Sequence, residues 1–387
     1  MMNIGLRVFI YLLFLMSFLP LPAGGMESSA PAVNGQQVSD HFDGKLYFNP
    51  AIAQPPPPGQ EQHRSRTRWM LSWIFGIDRP EWPETKDVTP GPAPAARVPN
   101  GKLSITPVGH ATFLIQMDGL NILTDPIWSE RCSPVSWVGP RRHREAGIRF
   151  EELPPIDAVL VSHNHYDHFD LPTLRRLAET GTRRAIVPIG NLDLIRETGM
   201  PQTEALDWWQ SVRLSPDVTV TLVPAQHFSS RTLWDRNETL WGGFVVSGPS
   251  GNIFFGGDTG YGPHFREIAR RFAPIRVALL PISPFRPQQS NAPPQWNHPS
   301  VHMGPAEAVQ AHTDLDAMVS IAAHFRVFQL GFDGFDDAVT ELATTLKNRT
   351  LAPETFITPT PGQAIEIDPR ITEVRRPEGL KTVCMNR

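Results

Sequence analysis

The stretch that decides the fold is Ser162-His163-Asn164-His165-Tyr166-Asp167-His168, which directly follows the apolar run Ala158-Val159-Leu160-Val161. A short apolar run that ends in polar residues is typical of a buried strand, so the seven residues occupy the loop at its carboxyl end. His163 and His165 are two residues apart, and in extended backbone they project to the same side, where they can bind one metal ion. Asp167 and His168 follow one step later, where a turn could direct them to a second ion. Zinc accepts imidazole nitrogen and carboxylate oxygen, so the stretch predicts a metal site; a solvated loop is the alternative.

The composition limits both the class of protein and the kind of metal site. The 387 residues carry 35 Lys and Arg against 39 Asp and Glu, a formal net charge of −4, so we expect no broad basic surface and no nucleic-acid partner. With 40% hydrophobic residues the chain can bury a core, which excludes wholesale disorder. The only cysteines are Cys132 and Cys384, so a metal must use His and carboxylate ligands. The two cysteines could pair in an oxidising compartment, although the sequence does not show that they are close.

Three further candidate ligands follow apolar runs elsewhere in the chain. They are His227, Asp258 and His324. Each alone has an ordinary interpretation, because a single histidine is more often a core or surface group and an Asp after Gly-Gly is usually a turn residue. Together with residues 163–168, they predict one site at a sheet edge. Asp170, before Leu171-Pro172, is instead predicted to be the N-cap of a helix.

Apolar runs alternate with helical patterns from residue 103 onward, which predicts an α/β fold with two sheets and helices outside them. The predicted strands are 103–108, 112–117, 121–124, 158–161, 185–188, 218–223, 243–247, 252–255, 277–280 and 318–322. The predicted helices lie in 171–178, 265–272, 305–312 and 338–346. No internal repeat of fixed period is present, which argues against a solenoid.

The N-terminal residues 1–25 carry the pattern of a bacterial-type secretory signal. Arg7 precedes an apolar run at 8–21, and the small residues Ala23-Gly24-Gly25 follow it, with Ala30-Pro31-Ala32 as a second candidate cleavage site. An uncleaved membrane anchor and a buried N-terminal helix are the alternatives. The signal predicts an exported protein, periplasmic or associated with a membrane.

Residues 26–100 are rich in proline and are predicted to be a poorly ordered linker and surface strap. Within them, Trp69, Trp73 and Trp82 supply aromatic surface. One interpretation is that this segment docks on the folded body. The other is contact with a lipid surface, where the preceding arginines 64, 66 and 68 could meet anionic head groups.

The pattern at 163–168 resembles the HxHxDH signature of the metallo-β-lactamase superfamily. The resemblance to one branch, the N-acylphosphatidylethanolamine-hydrolysing phospholipases D, covers residues 82–369 and rests on flanking strings. These strings include Gly109-His110-Ala111-Thr112, Leu123-Thr124-Asp125-Pro126, Leu206-Asp207-Trp208-Trp209, Arg231-Thr232-Leu233-Trp234 and Phe255-Gly256-Gly257-Asp258-Thr259-Gly260-Tyr261.

The resemblance implies a four-layer αββα sandwich over residues 101–370, followed by a tail at 371–387, and two zinc ions per chain. The ligands of one zinc ion would be His163, His165 and His227. The ligands of the other would be Asp167, His168 and His324, with Asp258 bridging the two ions. The catalytic residues would be Asp167, Asp258 and His324.

The resemblance also implies residues around the ligands. Tyr166 and His302 would contact the substrate, with His298 as a competitor for the role of His302. His110, Asp125 and Asp207 would orient the ligand imidazoles, although a turn or N-cap role is an alternative for each.

The activity that the resemblance implies is hydrolysis of N-acylphosphatidylethanolamine to N-acylethanolamine and phosphatidic acid by a metal-bound hydroxide. The implied partners are a phospholipid substrate at a membrane surface and a second copy of the chain in a homodimer. Candidate apolar walls for the lipid are Trp128, Trp137, Phe285 and Trp296, although a core position is the favoured interpretation for each. Departures in loop 285–296 put the substrate preference in doubt.

Three alternatives stay open. A dinuclear hydrolase of the same superfamily could act on a lactone, a β-lactam or another phosphodiester. The same donors accept iron, as in a diiron redox centre. The third is a metal-binding protein without turnover.

Overall fold

Two seven-stranded sheets pack face to face, and helices cover their outer faces, which is the predicted four-layer αββα arrangement. The computed structural model describes residues 39–50, 79–84, 90–232, 234–285 and 301–367. The first sheet has the order β14-β1-β2-β3-β4-β5-β6, and the second has the order β13-β12-β11-β10-β9-β8-β7.

The strands of the first sheet are β1 (Leu103–Gly109), β2 (Thr112–Met117), β3 (Leu120–Thr124), β4 (Ala158–Leu160), β5 (Arg184–Pro188), β6 (Gln202–Leu206) and β14 (Ile365–Ile367). Those of the second are β7 (Ser211–Arg213), β8 (Thr219–Val223), β9 (Gly243–Gly248), β10 (Gly251–Phe255), β11 (Ile275–Pro281), β12 (Ala317–Ala323) and β13 (Phe356–Ile357). The helices are α1 (Leu171–Glu179), α2 (Leu192–Arg196), α3 (His264–Phe272), α4 (Pro305–Asp314) and α5 (Asp337–Asn348). Short 3₁₀ turns occur at Phe150–Glu152 and Pro353–Thr355.

The core forms three layers because the central strands are buried on both faces. Leu160 of β4 points between the sheets with Phe255, whereas its neighbour Val159 points outward to Leu174 of α1. In the second sheet, Phe254 points outward to Phe265 of α3. Side chains alternate across a strand, so a strand covered on both faces reads as a continuous apolar run. This burial explains why all ten predicted strands are present.

The four strands that the sequence did not predict are the four edge strands β6, β7, β13 and β14. An edge strand has one unpaired side and can be short or polar, as in Ser211–Arg213, where two of the three residues are exposed. The five-residue helix α2 was also not predicted, since it is too short to show a helical period.

The predicted N-cap at Asp170 is present, and Pro172 lies in the first turn of α1. The carboxylate of Asp170 makes no capping hydrogen bond to the helix backbone. It instead accepts hydrogen bonds from the hydroxyls of Ser129 at 2.8 Å and Thr173 at 2.5 Å, so it ties the loop after β3 to the helix.

Described pieces of the predicted linker and surface strap at 26–100 contact the two-sheet body. Tyr47 is buried in the core between the sheets, and its amide donates to the carbonyl of Asn237 at 2.8 Å. Trp82 is buried and donates from Nε1 to the carbonyl of Asp333 at 2.8 Å, which is the docking interpretation. Gln116 donates to the carbonyl of Ala95 at 2.8 Å. Apolar contacts and hydrogen bonds therefore hold these pieces on the two-sheet body.

Several predictions lie outside the described residues. They are the signal or anchor at 1–25, Trp69 and Trp73, His298, Trp296, the tail at 371–387 and Cys384. The thiol of Cys132 is buried, and its pairing stays a prediction. Within the described part of the chain, no helix combines the length and the apolar character needed to span a bilayer.

Candidate metal centre

Seven donor side chains converge where strands of both sheets end. The loop 163–168 follows β4, His227 follows β8, Asp258 follows β10 and His324 follows β12. Strands β10, β11 and β12 are parallel, and β8 runs in the same direction because it is related to β10 through two antiparallel pairings. The carboxyl ends of these strands therefore meet at one edge, as the sequence predicted.

The first cluster consists of three imidazoles. Nε2 of His163 lies 2.8 Å from Nδ1 of His165, and Nε2 of His227 lies 3.2 Å from the same nitrogen. His163 and His227 are buried, whereas His165 is partly exposed. Three ring nitrogens thus point at a common space that is open on the His165 side.

The second cluster combines imidazoles with a carboxylate. Oδ2 of Asp167 lies 3.1 Å from Nε2 of His168 and 3.3 Å from Nε2 of His324. All three side chains are buried. Nitrogen and oxygen donors here also surround a common space.

Asp258 lies between the two clusters. Its Oδ2 is 3.2 Å from Nε2 of His168, 3.2 Å from Nε2 of His324 and 3.8 Å from Nε2 of His227. One carboxylate oxygen is therefore within reach of donors from both clusters. This is the position that a bridging ligand requires.

Hydrogen bonds on the far side of the rings select which nitrogen faces the site. Nδ1 of His168 lies 2.6 Å from Oδ2 of Asp125, and Nδ1 of His227 lies 2.9 Å from the carbonyl of Val301. Both partners accept, so Nδ1 carries the proton and Nε2 is left as a donor to a metal.

Ser162 orients the ring of His163 in the same way. Its hydroxyl donates to Asp125 at 2.6 Å and accepts from Nδ1 of His163 at 2.9 Å. Gly257 allows the chain before Asp258 to pass this serine, since a Cβ there would lie 2.6 Å from Cβ of Ser162 and its φ is +56°. Asp125 is thus connected to one imidazole of each cluster.

The charges in the centre are strongly coupled. Burial holds the pKa of His165 and of His227 at about 3, so both imidazoles are neutral at pH 7. Burial also opposes charge on His324, but the carboxylates of Asp258 and Asp167 outweigh it and raise the pKa to about 9. The same balance raises the pKa of His168 well above its usual value. Without metal, protons on these two imidazoles supply the positive charge that the buried carboxylates need, and bound metal ions would take the place of those protons.

The donor set fits a pair of divalent ions. With zinc–ligand distances of about 2.0–2.2 Å, the donors of a tetrahedral site are separated by roughly 3.3 Å. The separations of 2.8 Å and 3.2 Å in the first cluster and 3.1 Å and 3.3 Å in the second are of that size. Oδ1 of Asp258 is also buried without a hydrogen-bond partner among the described residues, a costly state that ligation would relieve.

Besides the seven donors, five further site residues were predicted, and four of them lie at the metal centre. Asp125 contacts His168, as described. Nε2 of His110 lies 2.8 Å from Oδ2 of Asp167, close enough for His110 to be counted with the second cluster. His302 approaches Asp258, with 3.8 Å between Nδ1 and Oδ2, and Tyr166 is partly buried beside residues 127, 132, 327 and 328.

Asp207 makes none of the predicted contacts with a ligand imidazole. Its Oδ1 lies 2.9 Å from Nε2 of His41, whose ring stacks on Trp208 at 3.9 Å between centroids. Asp207 therefore anchors the segment at 41–47. No local sequence pattern indicates this pairing, because the two residues are 166 positions apart.

Sequence reasoning missed Ser162 and Asn164 as parts of the site. The side-chain oxygen of buried Asn164 accepts the amide of Ser230 at 2.9 Å, which joins the ligand loop to the segment after His227. Both residues stand beside the ligand histidines in the sequence, and this adjacency was the one available signal.

Comparison with known proteins agrees with this geometry. A family described as "Beta-lactamase superfamily domain" matches residues 120–325, a span that contains all seven donors. The chain belongs to the metallo-β-lactamase superfamily and is a metal-dependent hydrolase of that superfamily.

Two relatives and one solved structure show how similar this chain is to individual proteins. The chain is 38% identical over 272 residues to an uncharacterized protein of Mycobacterium tuberculosis, which covers 68% of this chain and 69% of that protein. It is 29% identical over 330 residues to N-acyl-phosphatidylethanolamine-hydrolyzing phospholipase D 1 of Caenorhabditis elegans. The aligned region covers 79% of this chain and 87% of that protein. Among solved structures, the metallo hydrolase Igni18 of Ignicoccus hospitalis has a TM-score of 0.51 at 20% identity and covers 69% of this chain and 99% of that one. This last similarity supports the fold alone.

Proposed function

We propose that the protein is a zinc-dependent phosphodiesterase of the phospholipase D type, which hydrolyses N-acylphosphatidylethanolamine to N-acylethanolamine and phosphatidic acid. The observation that carries the proposal is the position of Asp258 between two clusters of N and O donors. The choice of substrate is supported by the C. elegans relative, whose similarity extends over most of both chains.

In this proposal, His163, His165 and His227 would hold one zinc ion, Asp167, His168 and His324 would hold the other, and Asp258 would be shared between the two sets of ligands. Zinc ions in such a pair supply an activated water and neutralise the charge that grows on the phosphoryl oxygens. The water oxygen bonds to phosphorus, and the bond from phosphorus to the ethanolamine oxygen breaks. Oδ1 of Asp258, buried and without a hydrogen-bond partner among the described residues, is the atom that we assign to take the water's proton. That proton then passes to the departing ethanolamine oxygen, which becomes the hydroxyl of N-acylethanolamine.

His302 and Tyr166 are assigned to the substrate. A cavity of about 240 Å³ opens beside His302 and is also lined by Phe285, Glu307 and Glu341. It offers room for part of the substrate next to the metal centre. Trp128, in contrast, packs its ring edge-on against Phe150 and donates from Nε1 to Ile148, which are core contacts.

We further propose that the protein acts at a membrane surface after export. Trp137 and Trp234 support contact with lipid, since their side chains are 60% and 67% exposed and Trp is favoured at bilayer interfaces. The N-terminal signal or anchor remains a prediction from the sequence pattern of residues 1–25, and the homodimer remains one from the family resemblance.

The test is product analysis in ¹⁸O-labelled water. The full chain, loaded with zinc, is incubated with vesicles that contain N-acylphosphatidylethanolamine, and the products are separated by mass spectrometry. The proposal requires N-acylethanolamine without label and phosphatidic acid with one ¹⁸O. Asp258→Asn is the matched inactive variant, and Asp217→Asn, an exposed carboxylate, is the control. Turnover of a lactone, a β-lactam or a simple phosphodiester without release of N-acylethanolamine would overturn the substrate assignment.

A further inference from the structure

Arg231 reaches from the segment after His227 into the loop that carries most of the metal ligands. Its Nη1 donates to the carbonyl oxygen of Asn164 at 2.8 Å and to that of Phe169 at 3.0 Å. These two carbonyls flank the segment 165–168, which supplies donors to both clusters. One side chain therefore connects the two ends of this segment.

Tyr166 of the ligand loop and Asp235 in turn hold Arg231 in place. The guanidinium carbon of Arg231 lies 4.0 Å from the centroid of the Tyr166 ring, and the hydroxyl of Tyr166 donates to the carbonyl of Arg231 at 3.1 Å. The carboxylate of Asp235 accepts the amides of Arg231 at 3.0 Å and Thr232 at 2.8 Å, which fixes the backbone from which Arg231 extends. Arg231 is thus held from its own side while it holds the ligand loop.

The ligand loop has little regular structure of its own. Within it, the amides of His168 and Phe169 share the carbonyl of His165 in a single turn. Loops with few backbone bonds open at low free-energy cost, and the four donors of this one must stay crowded together. A guanidinium can donate to two carbonyls and stack on a ring at the same time, which an ammonium group cannot reproduce.

We propose that Arg231 is a positioning residue for the metal centre. It keeps the loop in the conformation that directs His163 and His165 to one ion and Asp167 and His168 to the other. The nitrogen Nη1 is committed to backbone carbonyls and the guanidinium plane covers Tyr166, so Arg231 acts through the loop. The inference rests on the dinuclear centre of the proposed function and not on the identity of the substrate.

The experiment measures metal affinity in the full chain, without substrate. Metal-free protein is titrated with Co²⁺ at pH 7 against a competing chelator, and the visible absorption of bound Co²⁺ reports ligand geometry. The variants are Arg231→Gln and Arg231→Lys, with folding checked by circular dichroism. Arg271→Gln is the matched control, because Arg271 lies on α3, outside the ligand loop, and its guanidinium also covers an aromatic ring, 3.7 Å from the centroid of Trp209.

Loss of a residue that orients metal ligands typically weakens metal affinity about 10–100-fold, and we expect a loss of this size for Arg231→Gln with an altered Co²⁺ spectrum. Arg231→Lys keeps the charge and should fall between this variant and wild type. Arg271→Gln should match wild type in both affinity and spectrum.

Wild-type affinity and spectrum in both folded Arg231 variants would overturn the inference. So would an equal loss in Arg271→Gln, or failure of both Arg231 variants to fold, since either result indicates a general structural role. Wild-type protein that binds no Co²⁺ would remove this inference together with the dinuclear centre. If wild type binds Co²⁺ but releases no N-acylethanolamine, the substrate assignment fails while the Co²⁺ comparison still decides the role of Arg231.

Discussion

Nδ1 of His168 lies 2.6 Å from Oδ2 of Asp125, and both side chains are fully buried. The carboxylate also accepts the amide of Ser162 at 2.7 Å and its hydroxyl at 2.6 Å. Three donors on one buried carboxylate explain why this position carries an acid. Through them, Asp125 orients one ligand imidazole in each cluster.

Asp125→Asn should therefore weaken metal binding at both clusters. An amide nitrogen in place of one oxygen would face a donor, and the ring of His168 would lose its fixed orientation. We expect zinc affinity to fall about 10–100-fold, measured by chelator competition at constant pH. Asp193→Asn is the control, since the side chain of Asp193 is 98% exposed. Unchanged zinc affinity in Asp125→Asn would show that Asp125 does not orient the ligands.

Asp258→Asn should lower the number of metal ions that the protein retains. The neutral amide offers one weak oxygen donor where the carboxylate reaches both clusters, so two adjacent cations lose the charge that compensates them. Metal analysis after dialysis should give two ions per chain for wild type and at most one for the variant. Retention of two ions would contradict the bridging assignment.

Asp207→Asn should leave the metal content unchanged and loosen the segment at 41–47. The amide oxygen is a weaker acceptor for His41 than the carboxylate, so the free energy of unfolding should fall by about 1 kcal/mol, the difference between a hydrogen bond to a charged group and one to a neutral group. Limited proteolysis near residue 41 should become faster, while chelator competition should match wild type. A loss of metal affinity would restore the original prediction that Asp207 orients a ligand.

His312 should make the folded protein sensitive to acid. It is buried, its Nδ1 lies 2.8 Å from Oγ of Ser320, and burial lowers its pKa to about 4 from a usual 6.5. Between these two values the unfolded chain takes up a proton that the folded chain does not, so stability falls as the pH drops from 6.5 towards 4.

Protonation of His312 can lower the free energy of unfolding by about 3 kcal/mol at most, since one pKa unit corresponds to about 1.4 kcal/mol. Urea unfolding of wild type and His312→Gln at pH 7, 6, 5 and 4 tests it. The variant should be less stable at pH 7, and the difference should shrink towards pH 4. A difference that is constant with pH would exclude His312 as the source.

The sequence determined the central strands and the ligand loop because both depend on local pattern. A strand covered on both faces, such as β4, must be continuously apolar, and the spacing of His163, His165, Asp167 and His168 is fixed within one loop. The edge strands β6 and β7 escaped prediction, because only the pairing of distant segments gives them their structure.

Tertiary structure decided the partners of the polar side chains. Asp125 and Asp207 both stand in strings that resemble the same family, yet one orients His168 and the other binds His41. The choice depends on which distant segment the sheet order brings within hydrogen-bond distance, and no local pattern encodes it. For the same reason, the role that we assign to Arg231 became visible only when the segment after His227 was placed against the ligand loop.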